Sequence, residues 1–181
     1  MADAVVVGDL LITLLRNTDR VHSASLAQLV NVIAPIMTEP GGRAWKQTTF
    51  HPFALTAQNA SGTVLNLAVE SPLLESKTTS RFTSLSAVAT YDAEANEAVV
   101  FAVNRSATDA LTLDAAVGSL NPARIIETVT YTNKDPYWQA TADDSTSVLP
   151  SENVSVELDG GRLTAELPAV SWSMIRLAVN S

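Results

Sequence analysis

The sequence predicts a mainly β protein, an antiparallel β-sandwich of about eight strands preceded by a helical segment. Three observations predict this fold class. Up to about residue 60 the apolar residues recur with helical spacing. From about Gly62 onward the segments become short and β-branched, alternate with period two and are separated by turn residues. The 181 residues, 46% of them hydrophobic, are enough for one sizeable core with an appended segment.

The first predicted element is a helix from Ala4 to Leu15. Asp9, Thr13 and Arg16 fall at helical spacing and form one narrow polar stripe, and the remainder of the segment is almost entirely apolar. A helix of this composition is expected to be buried over most of its surface.

The next forty residues predict a strand, a loop and a second helix. Arg20 to Ala24 is expected as a short strand, and Leu26 to Ile33 is a mostly apolar stretch. Prolines and glycines in Pro35 to Gly42 mark a loop. A second helix is expected from Trp45 to Ala57, kinked or broken at Pro52 because proline lacks a backbone donor. Helix, strand, loop and helix together make one step of a β/α barrel.

The rest of the chain predicts the strands of the sandwich. Asp159-Gly160-Gly161 supplies a tight turn, Asp92 to Glu97 a longer polar hairpin connection, and Asp135 to Glu152 a polar and mobile loop. The predicted strands are Thr63 to Val69, Leu85 to Tyr91, Ala98 to Asn104, Leu111 to Val117, Arg124 to Tyr131, Val154 to Leu158, Arg162 to Leu167 and Ser171 to Val179.

Composition excludes several classes of function. A net charge of −8 argues against nucleic acid and anionic membranes as partners, since both require a surplus of Lys and Arg. The chain has no cysteine, which excludes disulfides and thiolate chemistry and suits a reducing compartment; we expect a cytoplasmic location. The apolar run from Ala4 to Leu15 is short for a membrane span and has no signal-peptide features.

Few side chains suggest catalysis. Asp143 and Asp144 are adjacent in the polar loop and are expected to be solvated, and the pair Asn96-Glu97 lies in a hairpin turn rather than after a barrel strand. His22 and His51 have no metal-ligand spacing, so neither a metal site nor a cofactor is predicted. A nucleophile elbow of the type G-x-S-x-G is also missing.

The tryptophans could stack on sugar rings or pack in the core. Trp172 alternates with Met174 on a predicted strand and is expected in the core. Trp45 is expected to pack at the start of the second helix. Tyr137-Trp138 could form an exposed platform or a lid on the core.

Two adjoining segments carry a family resemblance. Ser25 to Thr38, with the sequence SLAQLVNVIAPIMT, and Gly41 to Thr48, with the sequence GGRAWKQT, resemble a long signature of glycoside hydrolase family 51. The resemblance extends over essentially the whole chain, including the preceding helix. Phe101 to Arg105 and Ser171 to Leu177 are similar to the sandwich of that family.

The resemblance implies the C-terminal part of a retaining α-L-arabinofuranosidase, a (β/α)8 barrel followed by a β-sandwich. Residues 1–60 would be the last βα portion of the barrel and residues 61–181 the sandwich. Both catalytic glutamates of the family precede this part, so the resemblance implies that the chain begins within a longer protein. No catalytic residue is then expected in this chain, which by itself would be structural and inactive.

One functional residue follows from the resemblance. Gln28 matches the family glutamine that comes after the eighth barrel strand and binds the arabinofuranosyl unit. The alternative for such an amide is that it caps a helix or forms hydrogen bonds with backbone groups. Asn31 could line the same face. The whole protein would act on arabinose-containing oligosaccharides such as those of arabinan and arabinoxylan.

Two further interpretations are possible: a non-catalytic carbohydrate-binding sandwich, and a purely structural sandwich that supports the barrel. A homo-oligomer is expected, because the apolar faces of the first sixty residues would lack the barrel that covers them.

Overall fold

The computed structural model describes residues 1–76 and 81–180. Two helices and twelve strands occur in this part of the chain, together with a short 3-10 turn at Gly118–Leu120. In chain order they are α1 (Ala2–Leu15), β1 (Ile36–Thr38), β2 (Ala44–Lys46), α2 (Phe50–Asn59), β3 (Thr63–Leu65), β4 (Leu73–Leu74), β5 (Phe82–Thr83), β6 (Leu85–Asp92), β7 (Glu97–Asn104), β8 (Leu111–Ala116), β9 (Pro122–Thr132), β10 (Glu157–Asp159), β11 (Arg162–Leu167) and β12 (Ser171–Val179).

Two antiparallel sheets form the predicted sandwich. The larger has the strand order β3-β6-β7-β12-β9 and the smaller the order β10-β11-β8. Between them lies a core of alternate side chains, with Ala98, Val100 and Ala102 of β7 facing Leu113 and Leu163 of the smaller sheet. The mainly β fold class is confirmed.

The five-stranded sheet is also buried on its other face. Val99, Phe101 and Val103 alternate with the inner residues of β7 and pack in a second cluster with Trp172 and with Ile12 of α1. Burial on both faces explains why β7 and β12 consist of nearly continuous apolar residues instead of a simple alternation. The molecule therefore has three layers: helices, five-stranded sheet and three-stranded sheet.

Helix α1 is fixed to the sheet by its small residues and by its polar stripe. Gly8 lies directly against the ring of Trp172. The Asp9 carboxylate accepts two hydrogen bonds from Arg105, at 2.6 and 3.0 Å, and Arg16 donates to the carbonyl oxygen of Ala87 at 2.6 Å. Asp9 and Arg16 of the polar stripe thus contact the sandwich, whereas Thr13 is exposed and donates to Asp9 within the helix.

Part of the apolar surface of the first sixty residues nevertheless stays uncovered. Val6 and Leu10 of α1 are 57% and 58% exposed. The side of α1 that the sheet covers cannot drive self-association, so the expectation of a homo-oligomer depends on these outward residues and on the apolar stretch that follows Leu26.

Several predicted elements differ from the observed ones. Arg20 to Ala24 is not a strand, because no described strand lies beside it to form a ladder. The second helix begins at Phe50, and Trp45 lies on β2 instead. Pro52 is the third residue of α2, where the backbone N–H needs no helical partner, so the helix is not broken there. Thr63 to Val69 is a strand only as far as Leu65.

The two predicted turns are present. Gly160 and Gly161 have φ values of +53° and +79° and join β10 to β11. In the longer hairpin, Asp92 accepts hydrogen bonds from the backbone N–H groups of Glu94 and Ala95 at 2.9 and 3.0 Å.

Candidate functional site

Gln28 lies in an irregular loop between α1 and β1, at the surface of the molecule. Its side chain is exposed, and its amide makes no hydrogen bond with any residue of the described ranges. Its φ is +60°, in the left-handed region that residues other than glycine, asparagine and aspartate seldom adopt. Such a conformation costs about 1–3 kcal/mol and persists only where surrounding contacts impose it.

The contacts that impose this loop shape come from Asn31, which also has a left-handed backbone, with φ of +62°. Its side-chain oxygen accepts from the backbone N–H of Thr38 at 2.7 Å, and its side-chain nitrogen donates to the Thr38 hydroxyl at 2.9 Å. Its own N–H donates to the Ile36 carbonyl at 2.8 Å. Asn31 therefore holds the loop through both atoms of its amide.

Uncovered apolar side chains surround Gln28. Leu29, Val32 and Ile33 are 78%, 79% and 70% exposed, and Val32 is a β-branched residue with φ of +57°. We call residues 26–33 the Gln28 loop. An apolar stretch of this kind at the surface of a chain marks a contact surface.

The hairpin formed by β1 and β2 is bonded to the Gln28 loop through Asn31. β1 pairs with β2, with Met37 opposite Trp45. The indole N–H of Trp45 donates to the carbonyl oxygen of Ala140 at 3.2 Å, and Arg43 forms an exposed ion pair with Asp143 at 2.9 Å. These contacts connect the hairpin to residues 133–152, which we call the support loop.

The acidic residues considered from the sequence do not form a catalytic pair. Asp143 is the partner of Arg43, and Asp144 accepts from the backbone N–H of Ser147 at 3.3 Å. Hydrogen bonding to Ser147 lowers the pKa of Asp144, which favours a charged surface carboxylate over a proton donor.

The structure brings together one carboxylate pair that the sequence does not suggest. Glu97 and Glu127 both bind the guanidinium group of Arg176, at 2.7 and 3.0 Å, across neighbouring strands. These hydrogen bonds raise the pKa of Arg176, so its positive charge compensates both acids. Both carboxylates are therefore engaged in ion pairs with one guanidinium group, an arrangement that serves to join β7, β12 and β9.

The two histidines lie in different environments. His22 is exposed, whereas His51 of α2 is partly buried and its ring contacts Tyr131 with 5.1 Å between centroids. Burial, and then the charge of Lys46, lowers the pKa of His51, and burial raises the pKa of Tyr131 to about 12. His51 lines a cleft of about 670 Å³ between α2 and β9. Within the described residues, no three His, Cys, Asp or Glu side chains form a group that could hold a metal ion.

The aromatic residues give a single exposed ring. Trp172 is fully buried in the second cluster, as predicted, while Trp45 and Trp138 are partly buried. Tyr137 is 84% exposed. One exposed aromatic side chain does not make the platform that a carbohydrate-binding module needs.

None of the described helices is long and apolar enough to cross a lipid bilayer.

The fold, with its Gln28 loop, matches one family of carbohydrate-active enzymes. Residues 1–171 match the model of the α-L-arabinofuranosidase C-terminal domain, so the chain belongs to that family. An intracellular exo-α-(1→5)-L-arabinofuranosidase of Streptomyces lividans is 46% identical over 176 residues, which is 97% of this chain and 26% of the relative. An exo-α-(1→6)-L-arabinofuranosidase of Bifidobacterium longum is 44% identical and is covered to 34% of its length.

Solved structures agree with this assignment. A family 51 α-L-arabinofuranosidase from Bifidobacterium longum superposes with a TM-score of 0.92 at 42% identity, over 97% of this chain and 34% of that one. A family 51 arabinofuranosidase from Xanthomonas axonopodis pv. citri superposes with a TM-score of 0.87 at 26% identity, over 97% of this chain and 35% of that one. The chain therefore spans about a quarter to a third of the length of these relatives.

Proposed function

We propose that the whole protein is an exo-acting α-L-arabinofuranosidase that releases terminal arabinofuranosyl units from arabinose-containing oligosaccharides. This chain is its C-terminal part. The observation that carries the proposal is Gln28, which is exposed and held in a left-handed conformation. The sequence resemblance implies that this residue is the family's sugar-binding glutamine. The family match over residues 1–171 and the names of the relatives support the activity.

The chemistry is supplied by the part of the protein outside this chain. Retention needs two carboxyl groups about 5 Å apart, one as nucleophile and one as acid and then base. We place neither in this chain, which by itself is structural and inactive. Residues 1–60 serve as the last βα portion of the catalytic barrel and residues 61–181 as the sandwich that supports it.

Gln28 binds the sugar through its amide. The carbonyl oxygen accepts from one sugar hydroxyl and the NH₂ group donates to another, which orients the ring for attack at its anomeric carbon. The exposed Leu29, Val32 and Ile33 favour this role, since a catalytic barrel covering them would exclude water around the amide. The reaction requires no metal and no cofactor.

The remaining features of the whole protein follow from its relatives and its charge. Relatives named as intracellular support a cytoplasmic location, and the net charge of −8 gives no reason to expect nucleic acid as a partner. We retain a homo-oligomer as a proposal, based on the exposed Val6 and Leu10. Light scattering on the whole protein tests it, and a monomer at high concentration would disprove it.

A chimera tests the proposed function. The chain replaces the corresponding C-terminal third of the Bifidobacterium longum family 51 enzyme, and hydrolysis of p-nitrophenyl α-L-arabinofuranoside is measured. We expect the chimera to be active. Gln28→Ala should lower kcat/KM by about 5- to 150-fold, the equivalent of about 1–3 kcal/mol for a hydrogen bond in a desolvated site.

Gln58→Ala is the matched control, because Gln58 is an exposed amide on α2 outside the Gln28 loop. It should leave kcat/KM unchanged. If Gln28→Ala instead lowers the melting temperature and leaves the kinetics unchanged, Gln28 has a structural role and the proposed sugar contact is wrong.

A further inference from the structure

We propose that the support loop of the sandwich positions Gln28, with Trp45 as the residue that transmits this support. The proposal concerns the same site as the proposed function and depends on it for the sugar contact. It assigns to the sandwich a part in holding the arabinofuranosyl unit.

The first link joins the Gln28 loop to the hairpin. Asn31 makes two side-chain hydrogen bonds to Thr38 on β1, and its N–H donates to Ile36 on the same strand. The N–H of Ala34 closes the turn onto the carbonyl of Asn31 at 2.9 Å. A displacement of β1 would therefore also move the backbone of Asn31, which lies three residues after Gln28.

The second link joins the hairpin to the support loop. Thr38 pairs with Ala44, next to Trp45, and the indole N–H of Trp45 donates to Ala140. Ala140 is only 6% exposed, so this hydrogen bond reaches into the packed part of the loop. The neighbouring ion pair of Arg43 with Asp143 is exposed and adds little.

The third link joins the support loop to the sheet. Ser151 and Thr130 of β9 exchange two backbone hydrogen bonds, at 2.8 and 3.0 Å. Within the loop, the N–H of Thr141 donates to the carbonyl of Asp144, and the N–H of Asp144 donates to the Thr141 hydroxyl, each at 3.0 Å. The loop therefore has a defined shape fixed to a strand of the five-stranded sheet.

The three links explain the backbone of Gln28. An unsupported loop would relax out of a left-handed conformation, because nothing in its own side chain stabilises that conformation. The support passes from β9 through Ala140, Trp45 and Asn31 to Gln28. Trp45 is thus a positioning residue that touches no substrate.

Hydrogen exchange on the intact 181-residue chain tests the structural part. Trp45→Phe keeps an aromatic ring, removes the donor to Ala140 and shortens the side chain that reaches this loop. We expect the backbone amides of Asn31 and Thr38 to exchange at least about fivefold faster, a shift that a local opening equilibrium can produce, while the amide of Ile175 in β12 is unchanged. Tyr137→Phe is the control, since Tyr137 lies in the same loop, is exposed and is not the residue that accepts from Trp45. Unchanged protection of Asn31 and Thr38 in Trp45→Phe would overturn the proposal.

Kinetics of the chimera test the functional part. Trp45→Phe should lower kcat/KM when Gln28 is present and have no further effect in the Gln28→Ala background, since both changes then act through one amide. Faster exchange with unchanged kcat/KM in Trp45→Phe would show that the support does not reach the sugar and would overturn the proposal. Gln28→Ala measured alone distinguishes that result from a failure of the proposed sugar contact, in which this variant would also be unchanged.

Discussion

Gly8 provides the sharpest test of how α1 is seated on the sheet. A Cβ added at this position would lie 2.3 Å from Cδ1 and 3.0 Å from Nε1 of Trp172, whose side chain is fully buried. The indole cannot move aside, because it is packed in the second cluster with Phe101, with 6.2 Å between the ring centroids. Gly8→Ala must therefore displace the helix from the sheet.

The expected magnitude is the difference between two effects. Replacing glycine by alanine in a helix stabilises it by about 1 kcal/mol. Overpacking a core typically costs about 1–3 kcal/mol and occasionally more, and a contact this far inside van der Waals distance belongs at the upper end. We expect a net loss of about 2 kcal/mol, or a fall in melting temperature of about 4–8 °C for a chain of this size.

Thermal and urea unfolding followed by circular dichroism measure the change. Gly118→Ala is the matched control, because a Cβ there meets its nearest atoms at 3.7 Å and should be neutral or slightly stabilising. Combining Gly8→Ala with Trp172→Leu should destabilise by less than the sum of the two single changes, since the smaller side chain leaves room for the methyl group. A Gly8→Ala protein at least as stable as the parent would refute this account of the α1 interface.

Further predictions concern pH, a buried amide, the helical layer and activity. The pKa of His51 is lowered in the folded state, so the unfolded chain binds more protons than the folded chain as the pH falls through the usual histidine pKa of about 6.5. The free energy of unfolding should therefore fall as the pH drops from 7 towards 5.5. His51→Gln should reduce the dependence of the free energy of unfolding on pH, and His22→Gln at the exposed histidine should not. Equal pH dependence in urea unfolding of the parent and both variants would contradict the prediction. Asn104→Leu should cost at least about 2 kcal/mol in urea unfolding. The two N–H donors of its buried amide serve three backbone carbonyl oxygens, one of the donors being shared, and the substitution would leave these carbonyls without that partner. A cost below about 0.5 kcal/mol, roughly that of a surface change, would contradict the prediction. A chain shortened to residues 61–181 should bind a hydrophobic dye or aggregate, since Trp172 loses its cover; a soluble, dye-free monomer by light scattering would argue against this. The purified 181-residue chain should show no turnover of p-nitrophenyl α-L-arabinofuranoside, and activity that survives repurification would place a catalytic pair within it.

The strands of the sandwich could be predicted because each carries its own signal. β6, β7, β11 and β12 begin and end within one residue of the predicted bounds, since β-branched runs end at turn residues whose backbone conformation is local. The Gly160-Gly161 turn and the Asp92 hairpin belong to the same class of local features.

The helical layer was harder to predict because its structure depends on distant partners. Arg20 to Ala24 has the composition of a strand, but a ladder needs a neighbouring strand, which the described part of the chain does not supply. Trp45 follows a Gly-rich turn in a way that suggests a helix start, whereas its pairing with Met37 and its bond to Ala140 place it on a strand.

The candidate site was accessible only in part. The resemblance singled out Gln28, and no periodicity or spacing indicated its left-handed backbone. The structural role of Asn31 could not be predicted from sequence, because a structural amide and a ligand-binding amide have the same residue type; the two hydrogen bonds to Thr38 show that role. The link from Trp45 to Ala140 spans 95 residues and has no local signal.

The bridge between Thr130 and Ser151 has a consequence for solubility. β9 is an outer strand of the five-stranded sheet and the longest strand in the described chain, so its free edge could serve as a template for a strand of another molecule. The returning chain occupies part of that edge, with Ser151 on Thr130 and Asn153 on Thr128. A proteolytic cut within residues 133–150 would free this cover without touching the core. Nicked molecules should therefore associate edge to edge while their sandwich is still folded.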